Sequence, residues 1–208
     1  FLSSLRVKME VIMAKKTGEK YQAIIDAAVR VIAKQGYYSA QVSKIAKEAK
    51  VADGTIYLYF ENKDDILISL FNEKMGQFVD ENRKRISEAT TIEQKLYVLV
   101  HAHLSQLAKD QELAKVTQIE LRQANPFINE GIGKVMKQYF NLIEEVIQEG
   151  MEQGVFRPDL EVRMTRKMIF GTLDEVTTSW VMKQCKYDLV SHVDSIHNLF
   201  LFGMKGKE

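Results

Sequence analysis

The chain is short of cysteine, proline and tryptophan: 208 residues carry one cysteine, Cys185, two prolines, Pro126 and Pro158, and one tryptophan, Trp180. A lone cysteine excludes a disulfide framework and a cysteine-rich zinc site, and fits a reducing compartment. So little proline points to long uninterrupted helices. No apolar run approaches the ~18–20 residues of a bilayer-spanning helix. Strand signals are thin: no sustained period-two alternation, no Asn-Gly or Asp-Gly hairpin flanked by β-branched runs, and no repeat of fixed period. There is no G-x-S-x-G, no Walker loop, no G-x-G-x-x-G and no H-E-x-x-H, so no catalytic residue and no cofactor are expected. His101-x-His103 and His192…His197 have spacings that leave the two rings on different helical faces, with no cysteine or carboxylate cluster to complete a metal set.

What is present is the balance of a foldable chain, 46% hydrophobic and 27% charged. The net charge of +1 divides unevenly: residues 1–60 hold 10 Lys and Arg against 5 Asp and Glu, and residues 61–208 hold 19 against 23. A basic front on an acidic body is the footprint of a nucleic-acid-binding head, though chance clustering gives the same pattern.

Residues 1–18 lack the basic start and small-residue cleavage site of a signal peptide and read as a flexible leader. Met13 is a candidate natural start there, and Lys15, Lys16 and Lys20 are candidates for a basic arm. From Tyr21 the pattern is helical. Ile24, Ala27, Ala28, Val31 and Ile32 form one stripe that ends at Gly36, a residue suited to a left-handed helix stop. A second, short stripe is Val42, Ile45, Ala46 and Ala49, and a third short helix spans Asp53 to Phe60. Asn62 caps a helix running to about Ser87, with acidic residues in its first turn. Thr91-x-x-Gln94 is a capping box for a helix over about 92–109. Another helix covers about 111–124, Asn125-Pro126 starts a long one that stops at Gly154, and two more lie near 160–183 and 189–203. The chain is therefore all-α, with about nine helices.

Three helices within about forty residues, two of them too short to be stable alone, must hold one another by packing. Short helix, tight turn, short helix is the layout of a helix-turn-helix, whose last helix enters the DNA major groove. On the third helix Ile56 and Phe60 share the face that docks inward. Gly54, Thr55 and Leu58 point away, with Tyr57 and Tyr59 on the flanks. A leucine suits a thymine methyl, a threonine a base edge, tyrosine hydroxyls a phosphate, and a glycine the close approach of backbone. Tyrosines packed against a neighbouring helix are the competing explanation.

The segment GYYSAQVSKIAKEAKVADGTIYLYFENKDDIL resembles the DNA-binding signature of the TetR family of bacterial repressors, over about residues 20–67. The resemblance implies a homodimer on palindromic double-stranded operator DNA, with a head at 19–66 and an effector-binding and dimerisation body at 67–208. It puts Gly54 and Thr55 at the bases, beside the Leu58 that the wheel turns outward, Tyr57 and Tyr59 at bases and phosphates, and Gln41, Ser43 and Lys44 on the second helix at groove and backbone. Lys63 matches the basic residue at the start of the fourth helix that meets the DNA backbone. The chain departs from the family pattern twice: Ala40-Gln41 replaces a threonine pair, and Lys50 stands where the turn normally has glycine.

The blocks DILISLFNEKMGQF, TQIELRQAN and RKMIFGTLDEVTTSWVM are similar to the members of that family that repress fatty-acid degradation. This implies a cytoplasmic repressor of β-oxidation genes, released by long-chain acyl-coenzyme A. Phe140, Phe170, Leu173 and Trp180 are candidates to line an acyl channel, or to be ordinary core. Arg122 and Arg166, with Arg163 and Lys167, are candidate partners of the coenzyme phosphates. Phe170, Val176, Thr177, Val181, Val193, Ile196, Leu199 and Phe200 on the last two helices are candidates for a dimer seam, with burial inside the monomer as the alternative. A repressor of an efflux pump or another pathway sensing a different hydrophobic ligand, and a helical acyl-CoA enzyme or adaptor that binds no DNA, remain alternatives at this point.

Overall fold

The computed structural model describes residues 18–120, 122 and 126–206. Among the described residues there are nine α-helices and no strand beyond one bridge, Phe156 with Lys205. The expected leader, apart from Gly18, and the expected cap at Asn125 lie outside the described residues.

Helix α1 (Glu19–Gln35) buries more than the single stripe its sequence suggests, because Ile25, Val29 and Ala33 are covered as well. It is surrounded by α2 (Val42–Glu48), by α4 (Lys63–Glu88) and by α6 (Gln111–Lys115), so little of it is left to solvent. It stops at Gly36, whose φ of 80° and ψ of 152° suit a residue without a Cβ. Helix α3 (Asp53–Ile56) is shorter than the eight residues expected. After Ile56 the bonds tighten to Leu58 N–H on Thr55 O and Tyr59 N–H on Ile56 O, which turns Phe60 inward. Phe60 then stacks on Tyr21 at 5.4 Å between ring centroids. Ile56 is fully buried and Phe60 nearly so, as the helical wheel requires.

The long helices follow their caps. The Asn62 side chain accepts from Asp65 N–H at 2.9 Å and opens α4. Thr91 and Gln94 form the capping box of α5 (Ile92–Lys109). Helix α7 (Pro126–Glu152) ends before Gly154, at φ 71°. Helix α8 (Val162–Met182) is capped by the Glu161 carboxylate, and α9 (Val193–Met204) closes the chain. The stretch expected as a helix over 111–124 is divided: α6 is only five residues, and Val116–Glu120 continues it as a π-helical turn. The Thr117 hydroxyl, bonded to the carbonyls of Leu113 and Ala114, sits at the point where the ladder changes period.

Two apolar clusters result. The first holds the head, α1 to α3, together with Ile66, Leu67, Leu70 and Phe71 of α4, Leu113, Val116, and Ile128, Ile132 and Val135 of α7. The second holds the remaining helices, and α4 supplies it with Phe78, Val79 and Ile86. The boundary expected at 66/67 thus falls inside α4, one helix serving both clusters. Helices α4 and α7 approach closely at Gly131, where a Cβ would stand 2.7 Å from Ile68 Cδ1 and whose carbonyl accepts from Asn72 at 3.1 Å.

Of the seam candidates, Thr177, Val193, Ile196 and Phe200 are buried inside the chain, while Phe170, Val176 and Val181 are half-buried against the second cluster. Leu199 alone of that set is exposed. It is accompanied by Phe202 on α9 and by Met164, Met168 and Met182 on α8.

The turn between α2 and α3 holds Lys50 at φ 57°, with Val51 N–H bonded to Ala46 O at 3.0 Å. A side chain in this left-handed region costs ~1 kcal/mol that glycine avoids. Lys50→Gly is expected to stabilise the chain by about that amount, a rise of roughly 2–4 °C in Tm by differential scanning calorimetry. An unchanged or lower Tm contradicts it.

Candidate functional site

The exposed side of the head is built by α2 and α3. Gln41, the N-cap of α2, and Ser43 and Lys44 in its first turn are all exposed, and Lys44 reaches Gln35 at 2.9 Å. On the third helix and its trailing turn Tyr57 is 59% exposed and Leu58 64%. Gly54 is exposed with open space where a Cβ would go, and Thr55 is half-buried. Tyr59 differs from Tyr57: half-buried, its ring lies 6.3 Å from that of Tyr21 and packs on the head core. The two flanking tyrosines therefore divide between the surface and the core. Lys63 has its ammonium engaged within the head, donating to the carbonyls of Tyr37 at 3.0 Å, Tyr38 at 3.1 Å and Ala40 at 3.4 Å, above the Tyr37 ring.

Beneath the head, where the two apolar clusters meet, lies a cavity of about 360 Å³. Its walls are Phe71, Met75 and Phe78 of α4, His103 and Leu107 of α5, Ile132, Met136 and Tyr139 of α7, and Phe170 of α8. Leu113 and, from the π-helical turn, Thr117 and Gln118 also line it, with the polar groups of Lys74, Gln106, Arg122, Asn129 and Asp174. Arg122 is ion-paired to Asp174 and donates to Gln118 at 3.1 Å; its side chain is half-exposed, so it marks the side of the cavity open to solvent. Lys74, also on the wall, is paired with Asp26 of α1 at 2.7 Å. One polar pair is set among the apolar walls: His103 Nδ1 and the Tyr139 hydroxyl, 2.8 Å apart. Burial holds the His103 imidazole down at about 4, which leaves it neutral at pH 7, and pushes the Tyr139 phenol up. The other ring nitrogen of His103 is buried with no hydrogen-bond partner.

Of the six cavity residues expected from the sequence, Arg122 and Phe170 line it. Phe140 stands one shell out, its ring 5.0 Å from Phe170 and covered by the Arg166 guanidinium, which is paired with Glu144 at 2.8 Å. Leu173 and Trp180 belong to the packed core; the Trp180 indole donates to Tyr187 O at 2.8 Å. Arg163 and Lys167 are exposed on α8, outside the cavity wall. His103, Tyr139 and Gln118 were missed. A histidine inside an apolar helical stripe was the available signal, weighed above only as half of a metal pair; His101 stacks instead on Tyr97, away from His103.

Besides the apolar residues that the cavity wall shares with the head cluster, one buried carboxylate reaches the head loop. Glu120, two residues past Gln118, is 8% exposed, and its carboxylate accepts the Tyr37 backbone N–H at 2.6 Å. A Cβ on Gly36 would stand 3.5 Å from the same oxygen. The Tyr37 hydroxyl donates to Asp64. The loop that feeds α2 is thereby gripped at once from the π-helical turn that lines the cavity and from the start of α4.

Comparison with known proteins agrees with this layout. The family model described as bacterial regulatory proteins, tetR family, matches residues 24–70, and that of the YsiA-like protein C-terminal region matches 71–203. The chain is 51% identical over 193 residues to the fatty acid metabolism regulator protein of Bacillus subtilis, covering 93% of this chain and all of that protein. Its fold matches the fatty acid degradation regulator FadR of Bacillus halodurans with a TM-score of 0.85 at 59% identity, over 89% of this chain and all of the other. FadR of Bacillus subtilis in complex with stearoyl-CoA also matches with a TM-score of 0.85, at 52% identity over 88% of this chain and 99% of the other.

The His103 site predicts a pH effect. The unfolded chain takes up a proton near 6.5, whereas the folded chain resists until about 4. Stability is therefore whole above pH 6.5 and falls as pH drops through that window, by roughly 3 kcal/mol from this one group. Urea denaturation of wild type and His103→Leu between pH 7 and 4.5 is expected to show a shallower loss in the variant. Parallel losses contradict the assignment.

Proposed function

The chain belongs to the TetR family of bacterial transcriptional regulators, and from that premise we propose that it is a homodimeric, cytoplasmic repressor of fatty-acid-degradation genes, released from a palindromic operator by long-chain acyl-coenzyme A. Residues 19–66 act as the DNA-binding head and 67–208 as the effector and dimerisation body. In each head Gly54, Thr55, Tyr57 and Leu58 enter the major groove. Gln41, Ser43 and Lys44 meet its edge and backbone, and Tyr59 and Lys63 hold that surface in place from behind.

The observation that carries the proposal is an apolar cavity whose wall ends, two residues on, in the side chain that holds the head loop. Its volume lies within the range of small-molecule sites, and an acyl chain is the ligand portion that such walls suit. The B. subtilis relative crystallised with stearoyl-CoA supports the same occupant. Arg122 and Lys74, each neutralised by one carboxylate, supply cationic groups at the wall for the coenzyme phosphates. Filling the cavity loads Thr117 and Gln118, and through Glu120 the Tyr37 loop. Ligand and operator then select different arrangements of the same chain, so by reciprocity each weakens the other equally. The exposed apolar set on α8 and α9 (Met164, Met168, Met182, Leu199 and Phe202) provides the face on which two copies pair.

Three outcomes are expected. Acyl-CoA affinity by calorimetry rises roughly fourfold per added methylene until the cavity is filled, and falls when operator is bound. Equal affinities with and without operator, or release by cationic dyes in place of acyl-CoA in a gel shift, reject the effector assignment. Tyr57→Ala lowers operator affinity roughly 10–100-fold, and a variant that binds as wild type does rejects the interface. Phe202→Glu sediments as a monomer in analytical ultracentrifugation and loses operator binding with it; a stable dimer places the interface elsewhere.

A further inference from the structure

Among the described residues, Lys74 and Arg122 are the cations of the cavity wall, and each is held by a carboxylate. The two carboxylates differ in where they sit. Arg122 pairs with Asp174 of α8, so an anion that draws it away releases a group of the body. Lys74 Nζ pairs with Asp26 Oδ1 at 2.7 Å, and Asp26 lies in the middle of α1, the first helix of the head. Lys74 itself stands on α4 among Phe71, Met75 and Phe78, which line the same cavity. It belongs to the cavity wall and to a head contact at once.

This pair is built to exchange. A lysine carries its ammonium on a flexible four-carbon stem, so the charge can pass from one anion to another while α4 stays in place. The Lys74 side chain is 21% exposed, far enough from water to favour an anionic partner at all times. The Asp26 side chain is 40% exposed, and the same oxygen accepts from Gln22 Nε2, one turn earlier on α1, at 3.1 Å. Water and Gln22 therefore satisfy the carboxylate when the ammonium leaves, and no buried charge is stranded on the head.

We propose that Lys74 exchanges Asp26 for a phosphate of the bound effector, which makes Asp26 the residue through which the head distinguishes an anionic ligand from a neutral apolar one. The inference rests on the acyl-CoA reading of the cavity. The Glu120 contact responds to filled volume; the Asp26 contact responds to charge. Asp26 and the ligand compete for one ammonium. Operator holds the head where Asp26 reaches Lys74 and so strengthens the competitor, and by reciprocity the phosphate loosens the head's hold on the body. A neutral ligand of equal chain length fills the cavity and leaves the pair closed.

The test uses the full chain, a duplex recovered by wild type from a randomised DNA pool, and two probes, stearoyl-CoA and the phosphate-free stearoyl-pantetheine. Asp26→Asn keeps the shape of the side chain and removes its charge, and because the pair is partly exposed its Tm is expected to stay near that of wild type. By calorimetry the variant is expected to bind stearoyl-CoA roughly 3–10-fold more tightly than wild type, and the factor by which operator weakens that binding is expected to shrink. Stearoyl-pantetheine is expected to bind both proteins alike. In a Lys74→Gln background Asp26→Asn is expected to add nothing, since the contested ammonium is gone. An unchanged stearoyl-CoA affinity in Asp26→Asn overturns the exchange. So does an equal gain for both probes, the mark of a head merely loosened, or a gain that persists beside Lys74→Gln. Should wild type bind stearoyl-CoA equally with and without operator, or recover no duplex, the effector or the DNA-binding reading falls and takes the exchange with it.

Discussion

One short hydrogen bond, from Tyr37 N–H to the buried Glu120 carboxylate, is the constraint on which the rest of this molecule depends. A carboxylate out of water is costly unless its oxygens are satisfied, and a backbone N–H at the end of a helix is costly for the same reason. Here the two sit on elements 83 positions apart in sequence, and each removes the other's cost. The pairing favours Gly36 ahead of Tyr37 because of its backbone, whose φ of 80° a side chain adopts poorly; a Cβ there would meet the Glu120 oxygens only at ordinary contact distance. It also requires that Glu120 arrive on the correct face, which the π-helical turn arranges by rotating the end of the α6 segment relative to a regular helix.

The coupling has force because the two clusters are not separable layers. Helix α4 runs through both, and α7 gives Ile128, Ile132 and Val135 to the head's cluster while giving Tyr139 and residues beyond it to the other. A ligand between them touches walls drawn from each side. Packed interiors resist continuous deformation, so added volume is relieved by shifting elements as units. The π-helical turn has no apolar anchor in the head cluster except Val116, and it ends in the bond to Tyr37. It is a wall segment whose displacement passes directly to the loop that feeds α2.

How much of this could be read from the sequence varies with the kind of signal. The head was legible nearly residue by residue: its helices are short, so each apolar position has one plausible use, and Ile56 and Phe60 inside with Leu58 outside follow from the wheel alone. Tyr59 went partly to the core because the chain tightens after Ile56 and carries the residue toward Tyr21, a tertiary effect that no wheel contains. The cavity was much less legible. Periodicity tells which face of a helix turns inward and says nothing about whether a neighbour fills the space opposite. Leu173 and Phe170 share the inward side of α8, yet one is packed core and the other a cavity wall. The π-helical turn was illegible for a related reason, since its extra residue is accommodated by contacts made from far away in the chain.

The same architecture fixes what an effector can change. The head's core is dominated by its own residues, so its three helices can tilt as a body without exposing Ile45, Ile56 or Phe60. Unfolding the head to release DNA would surrender that whole cluster. Tilting it shifts the head against Ile66, Leu67, Leu113, Val116 and Ile128 and against the bond to Glu120, and leaves the contacts among α1, α2 and α3 in place. The second path costs far less, and a ligand can supply only the difference between its affinities for the two arrangements. A few kilocalories per mole of preference are enough for a tilt and not for melting. On the proposed function, regulation is therefore a matter of where the recognition surface points, with the surface itself left intact in both states.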